Sequence, residues 1–151
     1  MSARVQIAST AAFALTCAVA SLADAPAGQY KAFDASSTEI VDNHTGLVWK
    51  RDHTEPKQLS RAGIAAACTG DFRAPTVKEL LTLVDERPHK FFSAGAEADR
   101  YIDPRAFPTT PVDAAFASLS PNDFWTVDFK TGQASRATIA PLKLYVRCVK
   151  R

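Results

Sequence analysis

Apolar and polar positions alternate in short blocks along most of this chain. Ile40–Val41 and Leu47–Val48–Trp49 are two such apolar runs, separated by the turn formers Asp42, Asn43 and Gly46. That arrangement predicts a β-hairpin. The next stretch, LSRAGIAAACTG, predicts a helix with Ser60 as its N-cap and Gly70 as a left-handed stop. Spacings of three and four put Ile64, Ala65 and Cys68 on one helical face, so the Cys68 thiol is expected to point inward.

FRAPTVKELLTLVDE carries the plainest helical signal. Thr76 and Glu79 have the T-x-x-E spacing of a capping box. Val77, Leu80, Leu81 and Val84 fall at i, i+3, i+4 and i+7, which predicts an apolar stripe two turns long. Residues 86–122 are broken by Pro88, Pro104, Pro108, Pro111 and Pro121 and give few regular signals. Phe91, Phe92, Tyr101, Ile102, Phe107 and Phe116 argue that this long segment packs against the core. FWTVDFKTGQASRATI then predicts a strand pair turning at Lys130-Thr131-Gly132. The closing LKLYVRCVKR reads as one last strand. Leu142, Leu144, Val146 and Cys148 face one way, and Lys143, Tyr145 and Arg147 the other.

The first residues follow a different rule. Arg4 precedes an apolar run from Ile7 to Ala20, and small residues follow. This is the pattern of a secretory signal peptide, with cleavage expected after Ala23. A membrane anchor is the alternative, but the run is short for a bilayer span. Residues 24–37 then form a leader and residues 38–151 a single domain. The destination is the periplasm or the extracellular medium. Cys17 lies in the signal and lacks the flanking residues of a lipoprotein site, having Ala14 and Thr16 where Leu and a small residue belong.

Export changes the meaning of the two cysteines that remain. In an oxidising compartment, an isolated pair predicts one disulfide. Cys68 and Cys148 both lie on apolar faces. Their bridge would close a loop of about 80 residues, worth on the order of 4–5 kcal/mol in the chain-entropy model.

The 151-residue chain has a formal charge of +2, with acids and bases interspersed. That balance argues against a nucleic-acid binder. Pro121-Asn122-Asp123 has too few oxygen ligands around it for calcium and reads as a turn. His44, His53 and His89 lack metal-ligand spacing and read as surface residues. Arg73 is expected in a structural contact, with Asp85 or Asp103 as partner, rather than as an anion site. Trp49 and Trp125 lie in apolar strand patterns and read as core anchors. No cofactor, metal or catalytic grouping is expected.

The functional lead is basic. Lys143, Arg147, Lys150 and Arg151, with Tyr145 between them and with Arg136 and Lys130 added from the neighbouring strand, would make a cationic, aromatic face able to hold an anionic glycan. The plainer reading is a strand edge kept soluble by Lys and Arg.

The segments DNHTGLVWK, FRAPTVKELLTLVD, IDPRAFPTTP, FWTVDF and YVRCVKR, in that order, resemble the Lcl C-terminal domain family over residues 38–151. The resemblance implies an α+β, C-type-lectin-like fold: two helices packed on a small twisted antiparallel sheet, first and last strands lying together. A disulfide from the first helix to the last strand is standard in such domains and matches Cys68–Cys148. One member type uses the domain as an adhesin for sulfated polysaccharide. This chain departs from the pattern in two places. Phe124-Trp125-Thr126 runs directly into Val127-Asp128-Phe129, without the insert usual in the family, and Ala74 replaces a leucine.

The expectation is therefore an exported, non-enzymatic binding module for an anionic glycan or another envelope component. The alternative is a protein–protein accessory module of an envelope complex, presenting an apolar patch among Phe91, Phe92, Tyr101 and Phe116.

Overall fold

The computed structural model describes residues 28–31, 34–55, 57–58, 60–93, 95–111, 115–119, 124–137 and 143–151. The expected signal peptide and the Pro121-Asn122-Asp123 turn lie outside them. Two short helices pack against small antiparallel sheets.

The predicted hairpin is present as β1 (Glu39–Val41) and β2 (Val48–Lys50). Ile40 stands opposite Trp49 in its register, and both side chains are fully buried. Asp42 shapes the turn, its carboxylate accepting from the His44 backbone N–H at 2.8 Å. The leader joins this sheet: Tyr30 bridges Asp42, and the Lys31 N–H donates to the Val41 carbonyl at 2.9 Å. β3 (Lys57–Gln58) follows.

Helix α1 (Arg61–Ala65) is capped as expected, with Ser60 Oγ accepting from the Gly63 N–H at 3.1 Å. It stops at Ala66, before Gly70. With little more than one turn, it buries Ile64 and leaves Ala65 exposed. Helix α2 (Val77–Leu81) has the full capping box between Thr76 and Glu79. It too ends early. The chain turns at Thr82 and sends Leu83 inward, while Leu81 is 40% exposed. The two-turn stripe expected through Leu81 is therefore replaced by Leu80 and Leu83, with Val77 and Val84 half-buried.

The proline-rich segment holds more order than its sequence signals. It forms the hairpin β4 (His89–Ser93) and β5 (Ala96–Arg100), then β6 (Ala115–Leu119). Phe91 points inward and Phe92 outward, as strand alternation requires. β6 pairs with β7 (Phe124–Asp128), which pairs with β8 (Gln133–Arg136). The β7–β8 turn falls where expected. Gly132 has φ +69°, and a Cβ there would lie 3.2 Å from Val84 Cγ1, so only glycine fits without a shift.

The C-terminal segment is not one strand. β9 (Lys143–Leu144) pairs with β3, and β10 (Val149–Lys150) pairs with β2. Between them Tyr145 bridges Phe116. β1 and β10 share a sheet with β2 between them. The larger core cluster centres on Trp49, Leu80, Phe107, Phe116 and Val127. The smaller one gathers Ile64, Ala74, Ala117, Leu144, Val146 and Cys148. Cys68, just past α1, is joined to Cys148 in a disulfide. Among the described residues, no helix is long and apolar enough to cross a membrane.

Candidate functional site

The break in the last strand decides the fate of the predicted basic face. Val146, Arg147, Cys148 and Val149 are all buried, since the chain between β9 and β10 no longer alternates. Arg147, expected to face solvent, is fully enclosed. Its guanidinium lies 4.5 Å from the Phe107 ring centroid and 5.2 Å from that of Phe116. It donates to Thr110 Oγ1 at 3.0 Å and to the Lys50 and Arg51 carbonyls. Burial pulls its pKa down to about 9, partly opposed by the charge of Asp52. It is a charged core tie that fastens the C-terminal segment to the end of β2 and to the Phe107–Pro111 region. It is not a surface contact.

The other predicted residues are dispersed. Tyr145 is half-buried, edge-on to His53 at 4.9 Å and tilted against Phe116 at 5.6 Å. Arg136 is exposed on β8, opposite Trp125, in a different sheet from Lys150. Lys143 lies on β9 opposite Gln58. Lys150 alone enters a cationic cluster, and its companion is Lys50, which the last-strand pattern did not include.

That cluster is built by sheet register. Glu39 sits opposite Lys50 on β1–β2. Its Oε1 accepts from Lys50 Nζ at 3.0 Å, and its Oε2 pairs with Lys150 Nζ at 3.0 Å. Hydrogen bonds from Lys150 and then Lys50 hold the Glu39 carboxyl below its ordinary pKa. The two ammonium groups lie 4.4 and 4.5 Å from the centroid of Phe72. Two cations and one anion leave one positive charge beside this ring.

Lys50 and Phe72 also line a solvent-open cleft of about 220 Å³. Its apolar wall is Ala67, Phe72, Val146 and the bridge residue Cys148; Lys50, Asp52, His53, Thr54 and Thr69 complete it. Its frame is fixed by hydrogen bonds. Thr54 N–H donates to the Val146 carbonyl at 2.9 Å, and the Val146 N–H donates to Thr54 Oγ1 at 3.0 Å. The two His53 ring nitrogens lie 2.9 Å from the Thr54 and Thr109 carbonyl oxygens. Asp52 Oδ1 accepts from Thr109 Oγ1 at 3.1 Å.

The remaining candidates take structural places. Arg73 is paired, but with Glu79 rather than Asp85 or Asp103, through bonds of 2.8 and 2.6 Å. Asp85 meets His89 at 2.8 Å, and Asp103 meets Arg105. Trp49 is core, as expected, whereas Trp125 is only half-buried. His44 is exposed; His53 and His89 are half-buried rather than free surface residues. Among the described residues, no group of three or more His, Cys, Asp or Glu is placed to hold a metal ion. Of the expected apolar patch, only Phe92 is freely exposed, at 83%; Phe91 and Phe116 are buried and Tyr101 is half-buried.

Lys50 was partly legible. Alternation about the buried Trp49 places Val48 and Lys50 on the opposite face. Phe72 and Asp52 gave no such signal, because they reach the cleft from irregular segments.

No curated protein and no solved structure matches the chain. The family comparison does: the Lcl C-terminal domain matches residues 38–150, nearly the whole described domain. With that match over these strands, helices and bridge, the chain belongs to the Lcl C-terminal domain family.

Proposed function

We propose that this domain is a non-enzymatic binding module of an exported protein, and that its ligand is an anionic glycan or another anionic component of the cell envelope. The observation that carries this reading is the Lys50–Glu39–Lys150 cluster around Phe72, with its surplus positive charge; Lys50 and Phe72 also line an open cleft. Cations near an aromatic ring suit an anionic sugar: the charges attract the acid groups, and the ring offers an apolar surface to the sugar's C–H face. A C-type-lectin-like reading of the fold is supported by two helices against antiparallel sheets and by the bridge from the segment just after α1 to the C-terminal segment. Fold alone does not fix a ligand.

Lys150 now stands at the centre of this proposal, and Arg147 leaves it. Lys143 and Arg136 are its outlying candidates. The test is binding of the exported chain to heparin and to neutral glycans, at low and at physiological salt. The expected result is heparin binding that weakens with salt and falls at least tenfold in Lys50→Ala/Lys150→Ala. Binding that survives that pair but falls in Lys143→Ala/Arg136→Ala would move the surface to those strands. Binding to no glycan would sink the reading and turn attention to a protein partner. The accessory-module alternative retains only Phe92 of its apolar patch.

A further inference from the structure

The lysine pair is already occupied by an anion of the chain's own. Glu39 offers one carboxylate oxygen to each ammonium group, Oε1 to Lys50 Nζ and Oε2 to Lys150 Nζ, both at 3.0 Å. The carboxylate therefore spans the two cations as a bound anion would. The same ammonium groups lie 4.4 and 4.5 Å from the Phe72 centroid. The contact is open to water: the Glu39, Lys50 and Lys150 side chains are 35%, 40% and 28% exposed. Ion pairs of that kind are exchanged at little cost. Lys150 and then Lys50 hold the Glu39 carboxyl below its ordinary pKa, so at neutral pH it competes as a full negative charge.

Sheet pairing lets Glu39 leave its place without loosening the fold. Its backbone stands opposite Lys50 in the β1–β2 register, and the next pair, Ile40 and Trp49, is fully buried. The lysines are carried by β2 and β10, neighbours in the same sheet. An anion arriving from solvent thus finds both cations in position. Once the Glu39 side chain turns away, the site presents two positive charges rather than one.

We propose that Glu39 is a built-in competitor for the ligand site, and that the carboxylate of a uronic acid in a glycan displaces it and takes one oxygen to each lysine. This deepens the anionic-glycan reading above and rests on it. A uronic acid carries its carboxylate directly on the sugar ring, which brings ring C–H groups within reach of Phe72. Glu39 also makes the site selective. A neutral sugar offers nothing to replace the two ion pairs, so Glu39 keeps it out.

The test is binding of polygalacturonate and of its methyl ester to the exported chain. The acid polymer is expected to bind and the ester, the same backbone without the charge, to bind at least tenfold more weakly. Glu39→Gln should strengthen polygalacturonate binding roughly fivefold. Glu39→Asp keeps the charge but is too short to span both lysines, and should strengthen it in the same direction. Asp71→Asn, an equal change of charge on an exposed residue next to Phe72 in the chain, should alter it less than about twofold. Equal gains in Glu39→Gln and Asp71→Asn, or no gain in either Glu39 variant, would overturn the displacement. Heparin separates this inference from the reading it rests on. Heparin binding that is lost in Lys50→Ala/Lys150→Ala but unchanged in Glu39→Gln would leave the anionic-glycan reading standing and overturn this one. Polygalacturonate that binds no better than its ester, where heparin binds, would overturn the uronate assignment. Binding seen only in Glu39→Gln would support the displacement, and binding of neither polymer to any of these proteins would overturn both.

Discussion

Glu79 holds α2 in two ways, and acid should separate them. Its carboxylate accepts from the Thr76 N–H at 2.8 Å, closing the capping box, and takes two bonds from Arg73. The Arg73 bonds are the main reason its pKa falls from 4.5 to about 2; burial opposes them, and the Thr76 bond assists. A depression of that size corresponds to roughly 3 kcal/mol at full strength. Arg73 is 47% exposed, so solvent screening brings the expected contribution to about 1–2 kcal/mol. The sign follows from linkage. A carboxyl whose folded pKa is depressed stabilises the fold above its unfolded value and loses that contribution as pH falls. The window here runs from about 4.5 down to about 2. The measurement is urea unfolding of the native chain and of Glu79→Gln at pH 7, 4, 3 and 2. Other carboxylates titrate in both proteins and cancel in the difference. The gap between them should be about 1–2 kcal/mol at pH 7 and should close towards pH 2. A gap that stays constant across this range would show that the carboxylate's charge does not stabilise the helix, and the reasoning would fail.

Two further outcomes follow from the core. Cys68→Ala/Cys148→Ala removes a bridge spanning 80 residues, and the chain-entropy model gives a loss of about 4–5 kcal/mol, read as a lowered urea midpoint matched by the native chain under reductant. Arg147→Ala empties the space beside Phe107 and Phe116 and strips Thr110 and two carbonyls of their donor, so it should cost about 3–5 kcal/mol; a loss below 1 kcal/mol in the same assay would refute its role as a core tie.

Local chemistry was legible in the sequence because its causes lie within a few residues. Asp42 and Gly46 specify the β1–β2 turn, Thr76 and Glu79 find each other across one helical turn, and Gly132 marks the β7–β8 turn. The Cys68–Cys148 bridge was legible for a different reason: an isolated pair of thiols on apolar faces, in a sequence whose first residues read as an export signal, has few alternatives. The helix lengths were not legible. Periodicity extended α2 to Val84, whereas packing turned the chain after Leu81 and buried Leu83.

The last strand shows most clearly where the sequence stops deciding. Its alternation is real as a pattern, but Leu144 pairs with β3 and Val149 with β2, so the residues between must bend from one sheet to another. Bending abolishes alternation, and Arg147 turns inward to the carbonyls at the end of β2. The same bend sets Val146 and Cys148 against Phe72, and β-sheet register brings Lys50 and Lys150 onto Glu39. Sequence alone determined the turns, caps and covalent staple, whose energies are local or chemical. Tertiary structure alone decided which cations reach solvent, because that depends on pairing between segments about a hundred residues apart.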